Sequence, residues 1–431
     1  MYRLIYVAPF IVAIVNTFGY AQIQVSSTSL LVFALCIFMF LDARDALRSG
    51  RLLFRLGNPI VMLTICLLTI AGVAAAIAVA NGENYDGPGG VYVVITPYIM
   101  FFPCAWVAVT QRVDKQHMIK ALGTTVNLAL KADIVVSLLQ VAYLTFIDPS
   151  GYIFTANQRL NSVAQFDDIR LVGLFASGLD HGFFLTIAAL LIWVLAAENL
   201  YSKRRFFISL WVISILVYFT YTRTAYIIYL IAFAVMMGSQ VARRFGMTGL
   251  IVILFFMAIV AGITFEAIDA SRSVSGMVQS KSLLNLQTLQ SRYGSWDYYE
   301  SFLVQRPEVL LFGNALLQSA FPFIKSPPPL IDNLYLSLVL YGGVAYLLVY
   351  STYMAYFAGS FFWAFKRRHL PEFDRRLYLT LAVSVVVVAI VGFSATVWDL
   401  LSIGLPTTVL WALGWSYRRE SRRLHPRWDL T

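Results

Sequence analysis

The run Pro59–Ala80, PIVMLTICLLTIAGVAAAIAVA, contains no charged residue, and its reading decides the class of fold. At a helical rise of about 1.5 Å per residue it is long enough to cross a hydrocarbon layer of roughly 30 Å. Runs of this kind recur, so that spans are predicted over residues 4–20, 25–41, 59–80, 91–110, 122–147, 178–197, 206–220, 224–238, 249–265, 333–362, 377–397 and 401–417. The composition agrees. Of the 431 residues 59% are apolar and 13% charged, and the mean hydropathy is +0.74, well outside the range of soluble domains. Strand-like alternation, the mark of an outer-membrane barrel, is missing. The expectation is an all-α polytopic membrane protein of about 12 transmembrane helices. It forms a single transmembrane domain over residues 1–431, with a large, partly helical loop at 266–332 between the ninth and tenth spans. The first run ends near Gly19-Tyr20-Ala21, a faint likeness to a signal-peptide cleavage pattern, and is read as a span.

Charge placement orients the chain. With the N-terminus inside, the inward segments hold 23 of the 32 Lys and Arg residues and the outward segments 8, with Lys131 inside a span. This matches the excess of basic residues on cytoplasmic loops, so both termini are expected in the cytoplasm. The net charge of +10 then reflects orientation and anionic inner-leaflet lipid, and gives no reason to expect nucleic-acid binding. The inward loops carry no P-loop, dinucleotide-binding glycine pattern or zinc spacing. Cys36, Cys66 and Cys104 all fall within apolar runs and read as packing residues, not as disulfide or metal ligands. Pro97 and Pro103 interrupt the fourth span without a counterpart later in the chain, which argues against an inverted-repeat transporter.

Chemistry is therefore sought on the outward side, where basic residues run against the orientation rule. Between Arg205 and Arg243 about 37 residues must cross twice, roughly 28 Å per crossing. The hairpin tip Thr220-Tyr221-Thr222-Arg223-Thr224 can barely reach the surface. Arg223 within the layer costs roughly 2.5–3.5 kcal/mol on insertion scales unless it meets an anion or a water-filled cavity; snorkelling to headgroups is the structural alternative. Arg170, in Arg170-Leu171-Val172-Gly173-Leu174-Phe175, precedes Asp180-His181 at the start of the sixth span. There Asp180 reads as a helix N-cap, and Arg170 alternatively as a helix-flanking residue.

In the long loop, Leu283, Leu286, Leu289, Tyr293, Trp296, Tyr299 and Leu303 recur at a period near 3.6, predicting an amphipathic helix over Ser282–Gln305 that Pro307 stops. Arg292 lies beside that stripe, one turn from Trp296, where a salt bridge to Asp297 or Glu300 is an alternative to an anion site. The residues Tyr293, Trp296, Tyr298 and Tyr299 suit either sugar stacking or core packing. Pro327-Pro328-Pro329 favours a stiff extended segment that delivers Asp332 and Asn333 to the top of the tenth span. Both suit an N-cap, and Asp332 also suits a general base.

The motifs Arg170-Leu-Val-Gly-Leu-Phe, Thr222-Arg223-Thr224-Ala225-Tyr226, Arg292 with Trp296 ahead of Phe312-Gly313, and Asp332-Asn333-Leu334-Tyr335-Leu336 followed by Gly342-Gly343 together resemble the O-antigen ligase/polymerase superfamily. The likeness covers roughly residues 160–400. It implies a metal-independent glycosyltransferase without cofactors and with a GT-C-like fold. Such an enzyme moves a glycan from a polyprenyl diphosphate to an acceptor on the periplasmic face of the bacterial inner membrane. Arg170, Arg223 and Arg292 match the family's arginine positions and would hold the diphosphate, with Asn333, Tyr335 and Trp296 further binding residues. Ligases of the family carry His-Asn with glycine ten residues after the Asn. Here Asn333 and Gly343 keep that spacing, while Asp332 takes the histidine position. This favours a repeat-unit polymerase over a ligase, with Asp332 as base and His181 in reserve. The partners implied are lipid-linked oligosaccharide as donor and acceptor, membrane lipid and a chain-length regulator. The same arginines would also suit a lipid-linked oligosaccharide flippase, the competing reading from another class.

Overall fold

The computed structural model describes residues 3–18, 27–48, 58–80, 88–110, 113–146, 171–175, 177–220, 222, 224–239, 286–314, 333–367, 370–393 and 401–424. Within them the chain forms α1 (Leu4–Phe18), α2 (Ser27–Arg48), α3 (Pro59–Ala80), α4 (Pro88–Thr110), α5 (Lys115–Thr124), a π-helical turn (Thr125–Leu130) and α6 (Lys131–Phe146). There follow α7 (Gly178–Leu195), α8 (Lys203–Phe219) and α9 (Thr224–Ser239), then α10 (Leu286–Gln305), α11 (Pro307–Phe312), α12 (Leu334–Phe365), α13 (Glu372–Gly392) and α14 (Leu401–Leu424). All regular structure among the described residues is helical. Five helical stretches, Pro59–Ala80, Lys115–Tyr143, Gly178–Glu198, Leu334–Phe365 and Glu372–Gly392, are long and apolar enough to cross a membrane. The chain is thus a multi-span helical bundle with the make-up of a polytopic membrane protein. The predicted span 249–265 lies outside the described residues.

Helix α7 is the axis of the bundle. From Asp180 to Leu195 every residue is buried except Phe184, which is half-buried, as expected of a helix apolar all round. It packs against α8 and α13, while α12 packs on α13 and α3, and α14 lies against α4 and α1. The predicted stop at Pro307 is sharper than expected: α10 ends at Gln305, and Pro307 opens α11 at its first helical position, where a missing N–H costs nothing. On the buried side of α10, Tyr299 and Leu303 meet Val309 of α11 and Val339 and Leu340 of α12. The loop helices are thereby fixed to the bundle.

Two capping expectations are resolved. Asp180 is not the cap of α7. Ser177 has the extended backbone a cap requires, and its Oγ accepts from the Asp180 N–H at 3.2 Å; Asp180 sits in the first turn, near the positive end of the helix dipole. At α12 the cap is Asn333, whose Oδ1 accepts from the N–H groups of Tyr335 at 2.9 Å and Leu336 at 3.1 Å.

Helix α13 ties the two ends of the bundle together. Near its start Arg376 donates to the Trp193 carbonyl at the end of α7, 2.8 Å away. At its finish Gly392 abuts Leu334 and Tyr335, and the Tyr335 hydroxyl donates to the Ala389 carbonyl at 2.8 Å. The start of α12 therefore shares an end of the bundle with the start of α7.

Candidate functional site

The site begins with a backbone problem. Residues 171–175 are not helical, yet Leu171, Val172, Leu174 and Phe175 are buried. Inside a bilayer each unpaired amide would cost several kcal/mol. Four successive N–H groups are all paired. Leu171 donates to the Phe219 carbonyl at the end of α8, 2.9 Å away. Val172 and Gly173 donate to Gln140 Oε1 at 3.2 and 3.1 Å, and Leu174 donates to Asp133 Oδ1 at 3.0 Å. The two side-chain acceptors, Asp133 and Gln140, share one face of α6 with Ser137, the three being spaced i, i+4, i+7. All three are buried, with at most 1% exposure.

Gly173 makes the turn possible. Its φ of +55° is left-handed, and a Cβ there would lie 2.2 Å from Asp133 Oδ1 and 2.8 Å from His181 Nε2, so only glycine fits. His181 closes the cluster from the first turn of α7. Its Nε2 lies 2.8 Å from Asp133 Oδ2 and 3.5 Å from Ser137 Oγ, and its Nδ1 faces the Leu171 carbonyl at 3.3 Å. Phe175 stacks on the imidazole at 6.2 Å and against Phe184 at 4.9 Å. Both His181 and Asp133 have no exposed surface. Helix α6 continues to Phe146, about 20 Å of rise beyond Asp133 and about 9 Å beyond Gln140, so the cluster stops short of that helix's far end.

The arginine hairpin is locked to the same place. A Cβ on Gly178 would lie 2.7 Å from the Thr220 carbonyl, 2.9 Å from Thr222 Oγ1 and 3.6 Å from the Leu171 carbonyl. One turn further, a Cβ on Gly182 would come within 2.3 Å of Ala225 Cβ, the small-residue contact that lets membrane helices approach closely. The hairpin legs α8 and α9 are joined by Ser214 Oγ and Tyr229 OH at 2.7 Å, and by the Tyr226 hydroxyl donating to the Tyr218 carbonyl at 2.6 Å.

A second junction lies along α12. Helical geometry breaks at Gly342 and Gly343, the latter with φ of +74°. A Cβ on Gly343 would fall 2.1 Å from the Leu311 carbonyl, and one on Gly313 2.4 Å from Gly342 N. The Asn314 N–H donates to the Leu340 carbonyl at 2.7 Å. Phe312-Gly313 and Gly342-Gly343 are thus two halves of one backbone-to-backbone contact that docks α10 and α11 on α12.

Of the residues singled out in the sequence, Arg170, Arg223 and Asp332 lie outside the described residues. Arg292 falls within α10, and its side chain is likewise outside them. His181, Asn333, Tyr335 and the half-buried Trp296 are described. His181, the reserve base, is a fully buried core residue. Tyr299 is buried against α12, whereas the neighbouring Tyr298 is half exposed. Sequence reasoning missed Asp133, its pairing with His181 and the role of Gln140. The i, i+4, i+7 polar stripe on an otherwise apolar helix was the available signal.

Cys104 is buried and Cys36 and Cys66 are exposed, all three as free thiols. Among the described residues no group of three or more His, Cys, Asp or Glu side chains is arranged to hold a metal ion. No protein-family model matches the chain, and no curated protein does.

Proposed function

We propose that the protein is a membrane-embedded glycosyltransferase of the polysaccharide repeat-unit polymerase type, with about twelve spans and a GT-C-like organisation. The observation that carries this reading is the meeting at Gly178 of Leu171 and Thr222, the chain neighbours of Arg170 and Arg223. Two segments some fifty residues apart in sequence, each bearing an arginine that an apolar layer should exclude, converge at the end of the bundle where α12 starts at Asn333. Convergence of that kind suits a doubly charged ligand. Guanidinium groups pair bidentately with phosphate and keep their charge at every relevant pH.

In the reaction the acceptor hydroxyl oxygen attacks the anomeric carbon of the donor glycan. The bond from that carbon to the diphosphate oxygen breaks, and its electron pair leaves with the polyprenyl diphosphate. The hydroxyl proton passes to a base, for which Asp332 is the candidate. A single displacement inverts the anomeric centre. Arg170, Arg223 and Arg292 hold the diphosphate and offset the charge that grows on it. His181 has no exposed surface, which suits a supporting role better than contact with an acceptor hydroxyl. The capping bonds of Asn333 and the anchoring bond of Tyr335 likewise suit residues that set the start of α12. Trp296 and the exposed Tyr298 remain for the glycan. The polar end of α7 then faces the periplasm, both termini face the cytoplasm, and a chain-length regulator is the expected protein partner.

The test is to supply the purified protein, in proteoliposomes, with one lipid-linked repeat unit and no other acceptor. Dimers and a longer ladder are expected. Transfer only to an added lipid A core would make the protein a ligase, and movement of the intact substrate across the bilayer without bond formation would make it a transporter. Either result overturns the polymerase reading.

A further inference from the structure

We propose that Asp133, Gln140 and His181 form an intramembrane clamp that holds the 171–174 backbone, the segment that follows Arg170, in the position the reaction needs. Asp133 and Gln140 are positioning residues acting through main-chain N–H groups, and His181 acts through the Leu171 carbonyl. The effect on activity rests on the glycosyl-transfer reading above; the clamp itself does not.

Three features carry the inference. First, all the side chains are sealed from solvent, so they act on the chain around them and not on a diffusing substrate. Second, they address consecutive amides. Gln140 takes Val172 and Gly173, Asp133 takes Leu174, and Phe219 takes Leu171. A buried carboxylate and imidazole at this depth are costly to hold, and a shorter helical connection would need neither. Third, the protons can be counted. The Leu171 carbonyl can only accept, so Nδ1 of His181 carries a hydrogen. One further proton lies between Nε2 and Asp133 Oδ2, 2.8 Å apart. The pair is therefore neutral as a unit whichever atom holds that proton, and an amide at position 133 would serve the same geometry. Its Oδ1 would accept from Leu174 and its Nδ2 would donate to Nε2.

That count separates positioning from proton transfer. Wild type, Asp133→Ala and Asp133→Asn are compared in nanodiscs by amide hydrogen exchange of the 171–175 peptide, and by kcat and KM for ladder formation from the lipid-linked repeat unit. Asp133→Ala is expected to speed exchange at least about tenfold and to lower kcat by at least about tenfold. Asp133→Asn is expected to keep wild-type exchange and stay within about threefold of the wild-type rate. Should Asp133→Ala fail to fold, Gln140→Leu, which frees two amides without touching a charge, gives the same contrast in exchange. An Asp133→Asn protein as inactive as Asp133→Ala, with its exchange unchanged, would overturn positioning in favour of proton transfer. Unchanged exchange in both Asp133→Ala and Gln140→Leu would overturn the clamp. Loss of ladder formation in wild type itself would defeat the polymerase reading and leave the exchange contrast to decide the clamp.

Discussion

The two ends of α7 hold ionisable groups in different ways. At its start, His181 and Asp133 have no exposed surface, and Asp133 also binds the Leu174 N–H. Beyond its far end, Lys115 and Glu198 pair at 2.7 Å with side chains 44% and 26% exposed. Arg376 pairs with Glu372 while lying over the Trp193 ring, and Arg419 lies over Trp415 and donates to the Ala108 carbonyl. Half-exposed pairs are worth about 0–1 kcal/mol and cost little to form. Breaking a buried pair costs about 3–5 kcal/mol, because the remaining group is stranded. One end anchors helices with dispensable bonds. The other depends on a few polar contacts to hold a non-helical turn in place.

Substitutions should follow that contrast. The largest effect is expected for Gly173→Ala, which puts a Cβ into Asp133 and forces a left-handed φ. A loss of several kcal/mol, read as a fall in Tm of the detergent-solubilised protein, is expected from overpacking and backbone strain together. Asn333→Ala should cost about 1 kcal/mol through loss of the cap, and Asn333→Asp should restore most of it; both are read from Tm. At the far end, Glu198→Gln should move stability by less than about 1 kcal/mol. A loss as large as that of Gly173→Ala would erase the distinction between the ends.

The smallest effect concerns Asp114, which caps α5 and accepts from the His117 N–H at 2.8 Å. The hydrogen bond from the His117 backbone, first among the causes, holds its carboxyl below the ordinary aspartate value of 3.8. The folded value being the lower, its contribution is complete above the unfolded value and is lost as pH falls through the folded one. Asp114→Asn should flatten only that acid limb of a Tm-against-pH curve.

The membrane class was legible because a bilayer demands long apolar helices, and hydropathy reads that demand directly: the predicted runs outside 249–265 overlap described helices, five stretches of which are long and apolar enough to cross. The junctions were visible only as motifs. Gly173, Gly313 and Gly343 stood in the quoted stretches, but their left-handed backbones and the surfaces they meet depend on partners far away in sequence. Asn333 as a cap was legible because capping is local. The choice of Ser177 over Asp180, three positions apart, depended on where the chain turns extended, which is set by contacts beyond the local sequence. Asp133 and His181, 48 positions apart, are joined by tertiary packing alone. Only the polar stripe of α6 hinted at it.

The central claim is that the segments carrying Arg170 and Arg223 meet in order to act on one diphosphate. The most direct measurement is a double-mutant cycle on ladder formation, with Arg170→Ala, Arg223→Ala and the pair together. If both grip the same group, the double variant should lose little more than the worse single one, giving a coupling of about 0.5–3 kcal/mol. Losses that simply add would place the two arginines at separate tasks and contradict the account.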